Sequence, residues 1–482
     1  MLKKLSTATR LSVATVLVVL IAFTFAGCQK SNTQSFVAEY QDSLTQKDLL
    51  WLNSLAERGD SIGMITGIKR LNFSGNIFTQ IKNKYVFYIT QPIDHKNPEF
   101  GTFKQRIVID FTGWDKPVDL QTEGYNLDNA TNPYYAPELV KLFSANVVFV
   151  EHRYFGKSVP FVGEQGAADF SKLNWDYLTS EQEAADLHLV REKLGLLLKG
   201  KWLASGVSKG GINTLTYTLF YPEDVVCSVP YVTPVCNGIN DGRMYRYTLD
   251  SAWTADIRSK MLNFQTEMLK RRPTILPMLK EYMKDDILGA EYKPADTSAI
   301  YDYWILEIPL AAYMLLGNVD KYLARSISSD QEYFLVATQL AVPENVSLNY
   351  AEILPYYVQA AKELGYYSYD IEPFKGLLSI TSGTGILDKM QTPPGTSFTY
   401  DSSLNEKVRK FLSTTKSKMM FIYGANDPWT SLRPFSTARN NMKLYIIPSE
   451  SHASATITNM PQAMKNEAIS TLSSWLGVSA AN

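Results

Sequence analysis

The residues best suited to covalent chemistry in this chain are Gly206-Val207-Ser208-Lys209-Gly210-Gly211, a serine hydroxyl held between glycines. A serine is a weak nucleophile until a base takes its proton, and a carboxylate must fix the tautomer of that base and stabilise its cation. Of the 4 histidines, His95, His152, His188 and His452, only His452 follows the serine in the chain. Asp427 lies between them, in Gly424-Ala425-Asn426-Asp427-Pro428-Trp429. The order serine, acid, histidine is that of a triad carried on successive strand ends of one sheet. An oxyanion formed by attack at Ser208 needs two donors. The Lys209 amide is one; the loop after the run ending at Phe111, where Thr112-Gly113-Trp114 permits close backbone approach, predicts Gly113 as the other. Glu151, in Glu151-His152-Arg153 at a strand end, is positioned either to meet a substrate amine or to hold the loop through an ion pair. Trp429 is expected to offer substrate an aromatic face. His95 is assigned to a turn and His188 to a helix face. No zinc-ligand spacing is present, and no cofactor is implied.

These residues need elements to carry them. Tyr85–Thr90 and Arg106–Phe111 read as two strands joined by the turn-rich Asp94-His95-Lys96-Asn97-Pro98. Ala145–Val150 reads as a buried strand, and a helix is predicted over Thr179–Leu198 with Ser180 as N-cap and Glu183 completing a capping box. A short strand, Lys201–Ser205, precedes the glycines; a helix, Ile212–Phe220, follows them; Val225–Val229 is the next strand. Strand and helix in alternation imply a parallel sheet covered by helices. No comparable strand recurs until Met419–Tyr423 and Met442–Ile447, after which a helix over Pro461–Leu476 closes the chain. The expected fold is therefore an α/β-hydrolase sheet domain in two parts, 49–236 and 416–482, with a large inserted helical cap over 237–415.

Length and composition agree with that plan. A chain of 482 residues exceeds the ~250–300 at which single cores stop growing, so two folding units are expected. With 45% hydrophobic and 20% charged residues it can bury full cores, and a net charge of -1 leaves no electrostatic footprint for nucleic acid. At the N-terminus, Lys3, Lys4 and Arg10 precede an apolar run, Leu11–Ala26, that ends in Phe25-Ala26-Gly27-Cys28. The run is shorter than the ~20 residues that span a bilayer, and its small residues before a cysteine resemble the bacterial lipobox. Residues 1–28 are thus expected to be a lipoprotein signal with Cys28 as the lipidated residue. Polar residues 29–48 would tether the domain to the membrane of a bacterial cell envelope. Cys227 and Cys236 either pair or remain buried thiols.

Several blocks together carry a family resemblance. Gln91-Pro92-Ile93-Asp94-His95 with Gly101–Arg106, Glu151-His152-Arg153-Tyr154-Phe155-Gly156-Lys157-Ser158 and the Ser208 block resemble the S37 peptidases. These are secreted tripeptidyl or prolyl aminopeptidases related to the Pro-X carboxypeptidase and dipeptidyl peptidase II family. The resemblance implies the triad Ser208, Asp427 and His452, a helical cap, and peptide substrates cut near a free N-terminus, with a preference for cleavage after proline. Two other readings compete: an esterase or lipase on the same triad, and a ligand-binding lipoprotein with an inert serine.

Overall fold

The computed structural model describes residues 63–71, 81, 83–132, 135–160, 173–283, 297–343, 353–387, 391–393, 396–435 and 438–481. The segments expected to be leader and tether, with Cys28, lie outside these residues. Runs of β-branched and aromatic residues form the strands of one nine-stranded sheet: β1 Ile65–Leu71, β2 Asn83–Pro92, β3 Thr102–Phe111, β4 Val118–Thr122, β5 Asn146–Val150, β6 Trp202–Val207, β7 Cys227–Tyr231, β8 Met419–Gly424 and β9 Met442–Ile447. Their spatial order is β1-β2-β3-β5-β4-β6-β7-β8-β9. β1, β2 and β3 pair antiparallel, β3 pairs antiparallel with β5, and all pairs from β5 through β9 are parallel. The exchange of β4 and β5 in that order, with β3 antiparallel at the border of the parallel set, gives the α/β-hydrolase topology.

Helices cover both faces, as a buried parallel sheet requires. Leu187, Val190 and Leu194 of α2 (Ser180–Gly195) pack with Ile107, Leu120, Val148 and Ala204 on one face. On the other, α1 (Glu138–Phe143) and α12 (Gln462–Leu476) bury Leu139, Leu472 and Leu476 against Leu203, Val229 and Ile422. Truncating one such leucine to alanine costs about 2–5 kcal/mol. α3, Lys209–Phe220, starts three residues earlier than its apolar pattern predicts, because the turn at Ser208 feeds directly into its first turn. The N-cap of α2 is Thr179, whose side chain accepts the Gln182 N–H at 3.3 Å. Ser180 is already helical and instead donates its N–H and hydroxyl to Glu363 Oε1.

Between β7 and β8 the described residues contain no strand of the sheet. They form α4 (Arg243–Asp250), α5 (Ala255–Lys270), α6 (Arg272–Tyr282), α7 (Thr297–Leu315), α8 (Asp320–Leu323), α9 (Asp330–Leu340), α10 (Leu354–Gln359) and α11 (Ser403–Thr414). Tyr301, Trp304, Ile308, Phe334 and Tyr367 from this stretch belong to a hydrophobic core distinct from those of the sheet, which Leu432 joins from the β8 side. Cys227 and Cys236 are free, buried thiols whose pKa values burial pushes up to about 12. Among the described residues no helix is long and apolar enough to cross a membrane, and no cluster of His, Cys, Asp and Glu has the makings of a metal site.

Candidate active site

Ser208 ends β6 and begins α3, with φ 60° and ψ −119°. A non-glycine residue held there costs on the order of 1–3 kcal/mol, so the surrounding structure must enforce it. It does so by hydrogen bonds on both sides. The Ser208 N–H donates to Tyr231 O at 3.0 Å, and Ser208 O accepts the Ile212 N–H at 3.0 Å. The glycines are needed for room. A Cβ on Gly206 would lie 2.4 Å from Gly210 O, and one on Gly211 would lie 2.1 Å from Thr233 Oγ1. The turn therefore stands at the C-terminal edge of the parallel strands with Val207 half exposed and Ser208 half buried.

Asp427 and His452 leave the same edge after β8 and β9. The end of β8 presses against the loop after β9 so closely that a Cβ on Gly424 would meet Glu450 O at 2.3 Å. Asp427 caps the short turn Pro428–Leu432, its Oδ1 accepting the Trp429 N–H at 3.0 Å. Its Oδ2 lies 2.7 Å from His452 Nδ1. Asp427 is fully buried and His452 nearly so, while His452 Nε2 has no partner among the described residues. The carboxylate thus places a proton on Nδ1 and leaves Nε2 as the free basic nitrogen. β7 separates β6 from β8, so Ser208 and Asp427 depart from strands about 10 Å apart along a common edge.

The other expected residues divide. Lys209 is the first residue of α3, and its N–H is one of the donors that a helix start leaves without an intrahelical acceptor. Its side chain is buried, with Nζ 5.4 Å from the Phe155 ring and 5.9 Å from the Tyr125 ring. Burial pushes the pKa of this amine down to about 7 against the raising pull of Glu183 and Glu363. Trp429 stands beside the histidine, ring centroids 6.4 Å apart.

Gly113 is at the wrong end of the sheet. β3 runs antiparallel to β5, so the loop after Phe111 emerges where β5 begins, and the Gly113 N–H donates to Asn146 Oδ1 at 3.2 Å. The loop that does meet the nucleophile turn follows β4: a Cβ on Gly124 would stand 2.8 Å from both Gly210 N and Lys209 Cβ. Glu151 is likewise a structural residue. It is fully enclosed and accepts from Arg106 Nη2 at 2.5 Å, Leu127 N at 3.1 Å, Lys157 N at 3.0 Å and Ser158 Oγ at 2.7 Å. Arg153 beside it is locked onto Asp186 by two bonds of 2.7 Å. His95 does more than mark a turn, its Nε2 lying 2.7 Å from Asp186 Oδ1, and His188 on its helix meets Asp224 at 2.7 Å.

Three residues of the helical stretch reach this edge without any sequence signal to mark them. The Trp253 N–H donates to Asn426 Oδ1 at 3.1 Å, next to Asp427. The Trp253 ring lies 6.1 Å from that of Tyr313, and Trp253 Nε1 and Tyr313 Oη are buried without partners among the described residues. The Tyr367 ring packs edge-on against Trp429 at 5.7 Å, and its hydroxyl donates to Glu307.

The chain is similar to known peptidases. A prolyl tri/tetrapeptidyl aminopeptidase of Streptomyces mobaraensis is 28% identical over 403 residues, covering 80% of this chain and 79% of that protein. The human lysosomal Pro-X carboxypeptidase is 32% identical over 168 residues, 32% of each protein. The solved structure of VinJ, 14% identical, covers 80% of this chain and 98% of that one with a TM-score of 0.40; the fold assignment rests on the strand order instead. The sequence pattern of the PS-10 peptidase S37 family matches residues 58–302, just over half of the chain. On that match the chain belongs to the PS-10 peptidase S37 family and is a serine peptidase.

Proposed function

We propose that the chain is a serine exopeptidase that releases short peptides from free N-termini, cutting preferentially after proline, with Ser208 as nucleophile, His452 as base and Asp427 as the residue that orients it. The observation that carries this reading is the buried Asp427–His452 bond of 2.7 Å, whose free Nε2 faces no described partner on the edge that presents Ser208. His452 Nε2 takes the Ser208 proton as Oγ attacks the carbonyl. The Lys209 N–H and an N–H of the Gly124 loop receive the oxyanion. Collapse expels the leaving amine, which takes its proton from His452, and water then hydrolyses the acyl-enzyme by the same route in reverse. The proline preference rests on the name of the relative, prolyl tri/tetrapeptidyl aminopeptidase, and on the flat aromatic face of Trp429 beside the histidine.

The helical stretch, 237–415 in the division expected from sequence, would act as a cap that admits chain ends. Cys28 would carry the lipid that anchors the enzyme in the bacterial cell envelope, a reading that rests on the leader pattern alone. Replacing Ser208 with alanine is expected to abolish fluorophosphonate labelling and lower kcat by several orders of magnitude without unfolding the protein. Activity above a few per cent of the parent would remove Ser208 from the mechanism.

A further inference from the structure

α7 is apolar along almost its whole length, yet it buries two carboxylates, Asp302 and Glu307. Asp302 is saturated. It pairs with Arg272 and accepts Ser379 N at 2.6 Å, Ser379 Oγ at 2.5 Å and Ile380 N at 2.9 Å. Glu307 is not. Its Oε2 accepts the hydroxyls of Tyr367 at 3.0 Å and Tyr369 at 2.7 Å, whereas Oε1 accepts nothing from a described residue. No described Lys, Arg or His forms an ion pair with it, although it sits in a core of tyrosine rings. A buried anion without a counter-charge is costly, and a helix this apolar gains nothing by carrying one.

Its position supplies a use. Met314 lies seven residues on, two turns along the same face of α7, and its Sδ accepts the Trp429 Nε1–H at 3.1 Å. Tyr367, which donates to Glu307, stacks edge-on against the same Trp429 at 5.7 Å, and Trp429 stands 6.4 Å from His452. Two rings in contact, those of Tyr367 and Trp429, therefore link the carboxylate to the histidine. Three extended residues reach about 10 Å. Trp253 Nε1–H and Tyr313 O–H, unpartnered among the described residues along this wall, are donors of the kind that peptide carbonyls accept.

We propose that Glu307 is the anchor for the protonated α-amine of the substrate, fixing by its distance from Ser208 how many residues precede the cut. The tyrosine hydroxyls hold Oε2 and leave Oε1 for the ammonium, and the surrounding rings favour a cation over a neutral group. Burial raises the carboxyl to about 7 against the lowering pull of Tyr369 and Tyr367, so the free site disfavours the charge that an arriving ammonium would compensate. The proposal rests on the exopeptidase reading above and adds the residue that enforces it.

The test compares Ala-Ala-Pro-anilide with its N-acetylated form on the parent enzyme and on Glu307→Gln, with fluorophosphonate labelling of Ser208 as an independent readout. The parent is expected to prefer the free amine by on the order of 100-fold in kcat/KM. In Glu307→Gln that preference should fall below about 5-fold, mostly through a higher KM on the free peptide, while Ser208 still takes the label. Glu307→Asp, which keeps the charge, should restore much of the preference. A Glu307→Gln enzyme that labels normally and keeps its preference overturns the assignment. So does a parent that labels and cleaves both peptides equally, an outcome that leaves the serine mechanism standing. Cleavage surviving Ser208→Ala would instead overturn the mechanism itself. If the amide variant fails to fold, the Glu307→Asp comparison and the parent's response to acetylation still decide the matter.

Discussion

Two buried carboxylates flank the catalytic edge in opposite surroundings, Glu151 at the end of β5 and Glu307 on α7. Glu151 is surrounded by donors, with an arginine, a serine and two backbone N–H groups on its two oxygens. Glu307 has two neutral hydroxyls on one oxygen and no cation among the described residues. A saturated buried charge acts as a strut: it fixes the strand-end loop over Tyr154–Ser158 and leaves no valence for a ligand. An unsaturated one costs stability in the free protein and recovers it only when a cation arrives. Sequence position makes the strut look like the site, because Glu151 ends a strand of the parallel sheet, where binding residues gather. Hydrogen-bond satisfaction reverses that ranking.

The largest effect that would break the comparison lies at Glu151. Glu151→Ala leaves Arg106 buried without its closest partner and should destabilise the fold by about 3–5 kcal/mol, read as a lowered denaturant midpoint. A variant that folds as well as the parent, yet loses its response to the substrate amine, would return Glu151 to the binding site. Next in size is pH. Glu307 faces Tyr367 and Tyr369, with Tyr366 and Tyr245 beyond them, and no cation among the described residues. With its carboxyl at about 7 in the free enzyme, kcat/KM on a free-amine peptide should fall as pH drops through that value, up to about tenfold per unit. The peptide's own amine, with a pKa of ~8, sets the alkaline limit. Changes in the shared chemistry at Ser208 affect free and acetylated peptides alike, so the acid limb of their ratio isolates Glu307. A ratio that is flat from pH 5 to 9 would exclude an ion pair at that carboxylate.

Much of the sheet was legible because its strands are dense in Val, Ile and Phe. β4 was not. Val118-Asp119-Leu120-Gln121-Thr122 is wholly buried, yet Asp119 and Gln121 read as exposed polar residues until they are seen to accept from Ser205 Oγ at 2.8 and 3.0 Å. With β4 missed, its loop at Gly124 was not recognised as a strand end, and the glycine after β3 took its place as the second donor. The antiparallel direction of β3, which no residue type signals, then put Gly113 at the far edge. The positions proposed for the triad stand out in the sequence because glycine spacing and histidine scarcity single them out, whereas Glu307 is one acidic residue in an apolar helix, with partner tyrosines 60 and 62 positions away.

The smallest effect sharpens the comparison from the side of stability. Because burial raises the Glu307 carboxyl from an ordinary 4.5 to about 7, the native state disfavours the ionised form that the unfolded chain adopts freely. The contribution of this group is therefore most favourable below pH 4.5 and is lost as pH rises through 7. Glu307→Gln keeps the shape and an oxygen for the tyrosine hydroxyls but carries no charge. It should match the parent in stability near pH 4.5 and exceed it at pH 8, by roughly 1–3 kcal/mol, as replacing an uncompensated buried charge allows. Glu151→Gln should be less stable than the parent at pH 8: burial raises the Glu151 carboxyl as well, but the variant also strips buried Arg106 of its closest carboxylate. Thermal or denaturant melts of the three proteins at the two pH values would show it. A Glu307→Gln protein less stable than the parent at pH 8 would mean that the carboxylate is already paired within the fold, and the contrast with Glu151 would disappear.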